Sequence, residues 1–346
     1  MFLNSWSLSL FLLSAISLVL LLLAANTAVK VLRSWDPASD SNLQIRLEGQ
    51  TWLASTLVEY GLLFQIASLL VFVLAADHFC QVIAGAMCAT GALTVNSYGV
   101  PALVIKIFGV FVYGFWIVLH QLDIRSEKYP LVKIKYSYLL FLLPVVAGDI
   151  TLQALYIANL EPDIITSCCG VLFSTAPGAG RNLLSSFSPS TILPLFYGTA
   201  AVLTGTGVIL VRLNKVEQTT DVKLTIRCSN IVYSVLWFWF FLLSLVAVTT
   251  IFSSYIYAMP FHHCPFCIIK AEYGHIGIFI YLTLIAGVFF GTNTALTEIL
   301  RRKEELKDII AGYQNFAVIT ATIFLIFYIV LTSFHYIVYQ ISGGEF

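Results

Sequence analysis

The chain has 346 residues, of which 59% are hydrophobic and 10% are charged, and its mean hydropathy is +0.90. A soluble domain of this composition would leave too much apolar surface in water, so an integral membrane protein is predicted. The formal net charge is zero and no run of Lys or Arg is present, which argues against nucleic acid as a partner.

Eight apolar stretches are long enough to cross the hydrocarbon core of a bilayer, which takes about 20 helical residues. Because backbone amides in lipid must bond within their own segment, the predicted fold class is all-α, a polytopic transmembrane bundle forming one domain over residues 1–346. The predicted spans are about 7–27, 52–76, 101–121, 136–157, 192–211, 230–256, 276–298 and 316–340. Residues 1–6 lack the basic start of a signal peptide, so the first stretch is kept as a spanning helix.

The basic residues predict the orientation of the chain in the membrane. Connections 28–51, 122–135, 212–229 and 299–315 together contain fifteen Lys and Arg residues, whereas the alternate set contains only Arg181 and Lys270. Short cytoplasmic loops carry the excess of Lys and Arg, so both termini are predicted to be outside the cytoplasm.

The cysteines follow this topology. The predicted outer connections each contain a pair, and only Cys228 lies near the cytoplasmic side; the pairs are Cys80 with Cys88, Cys168 with Cys169, and Cys264 with Cys267. Disulfides persist on the outer side of a cell membrane, so structural bridges are one interpretation. The spacing of the pairs also favours redox chemistry.

The segment Cys264-Pro265-Phe266-Cys267 is a C-x-x-C motif, and a helix is predicted to begin after it, near residues 268–276. The partial positive charge of a helix N-terminus favours thiolate over thiol. His262 and His263 precede the motif and, when protonated, would act in the same direction.

For the other two pairs, the sequence does not decide which cysteine each member bonds to. Neighbouring cysteines such as Cys168 and Cys169 form a strained bridge that is easily reduced, unless each pairs elsewhere or both bind a soft metal. On one straight helix the sulfurs of Cys80 and Cys88 would lie about 12 Å apart, too far for a bond. Either the helix breaks at Gly85 or each cysteine has another partner.

The Cys-Pro-Phe-Cys motif resembles the C-P-x-C sites of thioredoxin-type oxidoreductases and of membrane enzymes similar to vitamin K epoxide reductase. In the latter family a second pair in an outer loop passes electrons to the C-x-x-C beside a bound quinone. Cys80 and Cys88, followed by Ser97-Tyr98-Gly99, resemble that loop. The resemblance implies that Cys264 and Cys267 are the quinone-side pair.

A thiophilic metal is the alternative ligand. Sulfur and imidazole on one face are the donors that Cu(I), Zn(II) or Hg(II) sites use. His262, His263, Cys264 and Cys267 would complete a tetrahedral set from one loop.

Three charged residues fall within predicted spans: Glu59, Lys106 and Asp149. Charges in lipid are costly and face other helices or water, so a Lys106–Asp149 pair is predicted. Such a pair either fixes the helix register or takes part in a proton step coupled to redox chemistry or transport.

The leading hypothesis is a membrane thiol-disulfide or electron-transfer protein of a prokaryotic cytoplasmic membrane, with Cys264 as nucleophile and Cys267 as resolving residue. Cys80, Cys88, Cys168 and Cys169 would pass electrons between an extracytoplasmic protein and a membrane acceptor such as quinone. The alternatives are a protein that captures thiophilic metal from a carrier and a structural subunit of a membrane complex.

Overall fold

Helices dominate the computed structural model, which describes residues 3–36, 39, 41–163, 173, 188–213, 220–301 and 303–343. No strand occurs in these ranges, and eight helices in them are long and apolar enough to cross a membrane, which confirms the predicted all-α fold. The helices are α1 (Ser5–Ser34), α2 (Asn42–Phe79), α3 (Ala89–Thr94), α4 (Gly99–Ile124), α5 (Val132–Ala158), α6 (Pro189–Leu213), α7 (Thr220–Ala247), α8 (Ser253–Tyr257), α9 (Ile276–Leu300) and α10 (Lys307–Ile341).

Seven of the predicted spans each lie inside one of these helices, and the span 230–256 runs from α7 into α8. Several helices extend further than the span they contain. α2 begins ten residues before the apolar stretch at 52, because the Ser41 hydroxyl accepts a hydrogen bond from Gln44 N at 3.3 Å and caps a polar first turn. A π-helical turn, Val248–Phe252, joins α7 to α8 without a break. Hydropathy locates the apolar part of a helix, whereas caps and turns fix its ends.

The chain divides into two compact units, Met1–Thr166 (unit 1) and Ser167–Phe346 (unit 2). The four long helices of unit 1 form a closed ring in which α1 contacts α2, α2 contacts α4, α4 contacts α5, and α5 contacts α1. Large side chains fill this ring: Tyr113, Trp116 and Tyr136 are buried in one apolar cluster with residues of α1 and α2. Unit 1 is therefore an up-and-down four-helix bundle.

Unit 2 repeats this ring order. α6 contacts α7, α7 contacts α9, α9 contacts α10, and α10 contacts α6. Gly291 lets α9 approach α7 closely, because a Cβ atom at that position would lie 2.2 Å from Trp237 Cδ1. Phe196 stacks on Phe240 beside this contact, with ring centroids 5.3 Å apart.

Each unit has a pair of cysteines in the equivalent connection between its helices. In unit 1 the connection between the second and third long helices contains Cys80 and Cys88, and in unit 2 the same connection contains Cys264 and Cys267. The sequence predicts one domain with a cysteine pair in each of three hairpins. The structure adds that two of those pairs occupy equivalent places in two bundles of the same topology. Cys168 and Cys169 lie outside the described residues.

Candidate functional site

The Cys-Pro-Phe-Cys motif lies in the connection between α8 and α9. α8 is followed by Ala258, whose φ of 52° is left-handed, and α9 follows Gly274 and His275, with φ of 63° and 55°. Left-handed residues reverse the direction of a chain sharply and stop a helix. The motif is thus set between two sharp turns in unit 2.

The two sulfurs of the motif lie close together. The Sγ atoms of Cys264 and Cys267 are within 4.8 Å of each other, and the residues are 0% and 6% exposed. A disulfide needs an S–S distance of about 2.0 Å, a difference that rotation of the side chains can cover. The structure therefore brings together the pair that the sequence singles out.

Two tyrosines anchor the backbone of the motif. The Tyr257 hydroxyl, at the end of α8, donates a hydrogen bond to the Cys264 carbonyl, and the Tyr281 hydroxyl of α9 donates to the Pro265 carbonyl at 2.7 Å. Both helices that flank the loop therefore hold its first half. Sequence reasoning missed these residues, although a phenol in an apolar span needs a hydrogen-bond partner when it is buried.

Helix α9 begins at Ile276, at the far end of the predicted window. Short 3₁₀ turns, Cys267–Ile269 and Ala271–Tyr273, occupy the intervening segment. The first turn of α9 nevertheless packs on Ile268, the residue that follows the motif, because a Cβ atom at Gly277 would lie 2.8 Å from the Ile268 carbonyl carbon. The helix N-terminus thus lies beside the residue that follows Cys267 through a tertiary contact.

The histidines differ from the sequence prediction. His263 is 6% exposed, and its Nδ1 atom has no hydrogen-bond partner among the described residues. Burial, followed by the neighbouring His262, lowers the pKa of His263 from its ordinary value. The protonated form, in which His263 would favour the thiolate of Cys264, is therefore disfavoured by burial.

His262 packs against an aromatic ring instead. Its ring meets the Tyr257 ring edge-on, with centroids 4.7 Å apart. Within the described part of the chain, neither His262 nor His263 joins the two sulfurs in a group of ligand atoms that lie within 4.8 Å of one another. The structure brings together two of the four predicted metal ligands.

In unit 1, Cys80 and Cys88 lie in the connection that follows α2. α2 stops at Phe79, before Gly85, and residues 80–88 are not helical, so Cys80 and Cys88 do not lie on one straight helix. Cys80 Sγ donates to the Asp77 carbonyl at 2.8 Å, and Cys88 is buried immediately before α3. This connection is bound to the segment that follows α5 through Ala84 N, which donates to Pro162 O at 2.9 Å.

The predicted intramembrane ion pair is formed within unit 1. Lys106 Nζ of α4 lies 3.0 Å from Asp149 Oδ1 of α5, and both side chains are completely buried. Two residues of α2 complete the network: Gln65 Nε2 donates to Asp149 Oδ2 at 2.5 Å, and Lys106 donates to Ser68 Oγ at 2.9 Å. The sequence predicted the charges but missed Gln65, a polar residue in an otherwise apolar stretch.

Glu59 lies apart from this network. Its Oε1 atom accepts a weak hydrogen bond from Gln121 Nε2 at 3.4 Å, and the residue is half-buried. The fully buried charges of unit 1 that the sequence placed in spans are therefore Lys106 and Asp149.

Comparisons with protein-family models, with curated proteins and with solved structures find no match for this chain. The geometry of the described residues is therefore the basis of the functional proposal.

Proposed function

We propose that this integral membrane protein transfers electrons by thiol-disulfide exchange at Cys264 and Cys267. The observation that supports this proposal is the proximity of the two sulfurs, within 4.8 Å, in a loop whose backbone is held by tyrosines of both flanking helices. A pair that is held in place undergoes exchange with little reorganisation.

The exchange has two steps. The Cys264 thiolate attacks one sulfur of a partner disulfide, which breaks the partner S–S bond and releases one partner thiolate. The Cys267 thiolate then attacks the Sγ of Cys264, forms the Cys264–Cys267 disulfide and releases the second partner thiolate. Two electrons pass to the partner, and its sulfurs take up the protons that the two cysteines lose. The same two steps in reverse oxidise a partner dithiol.

The further steps of the proposal connect this pair to other carriers. Cys80, Cys88, Cys168 and Cys169 pass the electrons between the pair, an extracytoplasmic protein and a membrane acceptor of the quinone class. The distribution of basic residues, fifteen against two, supports an extracytoplasmic location of all six cysteines in a prokaryotic cytoplasmic membrane. Labelling with an impermeant maleimide on intact cells tests this orientation, and Cys228 serves as the inner control.

Redox titration of the full-length protein tests the function. Membranes are equilibrated with glutathione buffers of graded potential, thiols are alkylated with a maleimide polymer, and the shift in gel mobility reports the state of each cysteine. We expect Cys264 and Cys267 to oxidise and reduce together as one two-electron couple within the range of biological carriers. A pair that stays in one state across that range would contradict the proposal.

Single substitutions separate the two roles. In Cys267→Ser the mixed disulfide between Cys264 and its partner cannot resolve, so a covalent complex should accumulate in membranes and disappear on reduction. Cys264→Ser should trap no such complex, and Cys228→Ser is the matched control for loss of one thiol. Equal trapping by both loop variants would refute the assignment of Cys264 as the nucleophile.

A second candidate function is the capture of a thiophilic metal ion as cargo. Two neighbouring buried sulfurs are also a ligand pair for a soft ion such as Cu(I). Elemental analysis of protein purified under reducing conditions without chelator distinguishes the functions. Stoichiometric copper, zinc or mercury that is lost in Cys264→Ser would favour capture, and a metal-free protein with a cycling pair would favour electron transfer.

A further inference from the structure

Unit 1 contains a cavity of about 220 Å³ at the end where α1 connects to α2 and α4 connects to α5. Pockets for drug-sized ligands are about 300–1,000 Å³, so this cavity fits a small polar group. Three aromatic and three ionisable side chains line it: Trp35, Trp52, Tyr129, Glu48, His120 and Lys135. The proposed electron-transfer site of unit 2 does not use any of them.

The buried end of the cavity offers hydrogen-bond donors. Lys135 is 3% exposed, and its Nζ atom donates to Asp123 Oδ2 at 2.9 Å and lies 3.3 Å from His120 Nδ1. An ammonium group can only donate, so His120 Nδ1 accepts and its ring proton is on Nε2.

The His120 Nε2–H group donates to no acceptor in the part of the chain that the structure describes. Stacking on the Trp116 ring, with centroids 5.4 Å apart, fixes the plane of the imidazole. His120 and the third N–H bond of Lys135 therefore provide two donors for an acceptor group such as a phosphate oxygen.

The exposed end of the cavity offers the opposite charge. Glu48 is exposed, and its Oε1 atom accepts from Gln44 Nε2 at 2.9 Å, which leaves Oε2 for a cation. Trp35, Trp52 and Tyr129 also line the cavity, and aromatic rings of this kind bind an ammonium group by cation–π interaction when it lies over the ring face. The cavity thus combines donors at its base with a carboxylate and aromatic rings at its opening.

The loop beside the cavity contains a strained residue. Tyr129 has a φ of 46°, an unfavourable value for a residue with a Cβ atom, and it lies between α4 and α5. Leu131 N donates to Asp123 Oδ1 at 2.8 Å and holds this loop in place. Such strain is maintained by its surroundings and occurs often at ligand sites.

We propose that this cavity binds the headgroup of a zwitterionic aminophospholipid such as phosphatidylethanolamine. The phosphate accepts hydrogen bonds from His120 Nε2 and Lys135 Nζ, and the ammonium group pairs with Glu48 between the aromatic rings. Asp123 already neutralises Lys135, so the cavity has one net negative charge from Glu48, which suits a headgroup with its own ammonium better than an anionic one.

Titration of the full-length protein in detergent with short-chain phospholipids tests this proposal. Native mass spectrometry resolves successive lipid adducts and gives the Kd of the first. We expect phosphatidylethanolamine to bind at least tenfold more tightly than the diacylglycerol with the same chains, which lacks phosphate and ammonium. Phosphatidylglycerol should fall between them, because it has no partner for Glu48.

Two variants locate the binding. His120→Phe keeps the stacking on Trp116 but removes the Nε2–H donor and the Nδ1 acceptor of Lys135, so affinity for phosphatidylethanolamine should fall by at least roughly tenfold, the effect of one lost hydrogen bond to a charged group. Gln121→Leu, at the next position of α4, should leave it unchanged. Glu48→Gln should abolish the preference over phosphatidylglycerol, whereas Glu127→Gln, an exposed carboxylate of the same end, should not.

Three results would overturn the proposal: equal affinity for diacylglycerol, unchanged affinity in His120→Phe, or a preference that survives Glu48→Gln. Free phosphoethanolamine that binds as tightly as the lipid would overturn the assignment of a lipid as the source of the headgroup. Thermal unfolding of each variant excludes loss of binding through misfolding, and a folded His120→Phe protein with reduced affinity supports the site.

Discussion

Lys106 and Asp149 form an ion pair between α4 and α5, with Nζ and Oδ1 3.0 Å apart and neither side chain exposed. Gln65 and Ser68 of α2 supply the remaining hydrogen bonds, so three helices of unit 1 meet at one charged contact. A buried pair contributes little relative to well-packed apolar residues, but removal of one partner leaves an uncompensated charge.

Asp149→Asn should therefore destabilise the protein by about 3–5 kcal/mol, because Lys106 loses its counter-charge in the interior. The measurement is reversible unfolding in mixed micelles. The double variant Lys106→Met with Asp149→Leu should recover most of this loss. Glu59→Gln, a half-buried carboxylate of α2, serves as control and should change the free energy of unfolding little. Equal losses in the single and double variants would contradict a charge-based explanation.

Tyr281→Phe should loosen the cysteine loop, because it removes the hydroxyl that donates to the Pro265 carbonyl. A buried acceptor left without its donor costs about 1–3 kcal/mol, which should raise the rate at which Cys264 and Cys267 react with an impermeant maleimide by roughly 5- to 150-fold. Tyr255→Phe, in α8 on the other side of the loop, is the control. Its ring packs on Tyr336 and Tyr339, and the rate should not change.

Gly277→Ala should destabilise unit 2 by about 1–3 kcal/mol, because the new Cβ atom would lie 2.8 Å and 2.9 Å from the backbone C and O atoms of Ile268. Thermal unfolding measures the loss. Gly198→Ala in α6 is the matched control: nothing lies within 4 Å of its Cβ position, and the gain in helix propensity should stabilise it by up to about 1 kcal/mol. Similar effects at both positions would contradict the tight approach of α9 to the motif.

Acidification should destabilise the folded protein through His263. Burial holds the pKa of His263 below its unfolded value of about 6.5, so the unfolded state binds more protons between those two values. The free energy of unfolding therefore rises with pH across this interval and falls as pH drops through it. Thermal unfolding of wild type and His263→Gln between mildly acidic and neutral pH measures the difference.

In His263→Gln this component of the pH dependence should disappear, while other titrating groups still act in both proteins. A variant with the same pH profile as wild type would show that His263 does not titrate differently on folding.

Most of the fold could be predicted from the sequence. All eight spans are contained in helices of the structure, because lipid imposes a length and an apolar composition on each segment independently. The ion pair between Lys106 and Asp149 could also be predicted, because each charge lies in an apolar stretch and needs a partner. The ends of the helices were harder to predict, since α2 begins in polar residues at Asn42, before its apolar stretch.

Only part of the candidate site could be predicted from the sequence. The spacing of Cys264 and Cys267 identified the pair, but the role of Tyr257 and Tyr281 depends on where two helices lie relative to the loop. The lowered pKa of His263 depends on its burial, which no local pattern encodes. The proximity of the α9 N-terminus to the motif depends on Gly277 packing on Ile268, nine positions earlier in the chain.

The sequence by itself determined that this chain crosses a membrane about eight times and that Cys80, Cys88, Cys264 and Cys267 lie in connections between spans, because apolar length and residue spacing are local properties. Only the tertiary structure decided that the long helices form two rings of the same order, that two tyrosines hold the motif, and that a small polar cavity lies at one end of unit 1. These features arise from the packing of side chains that are distant along the chain, and that packing depends on shape and burial rather than on the hydropathy of any one segment.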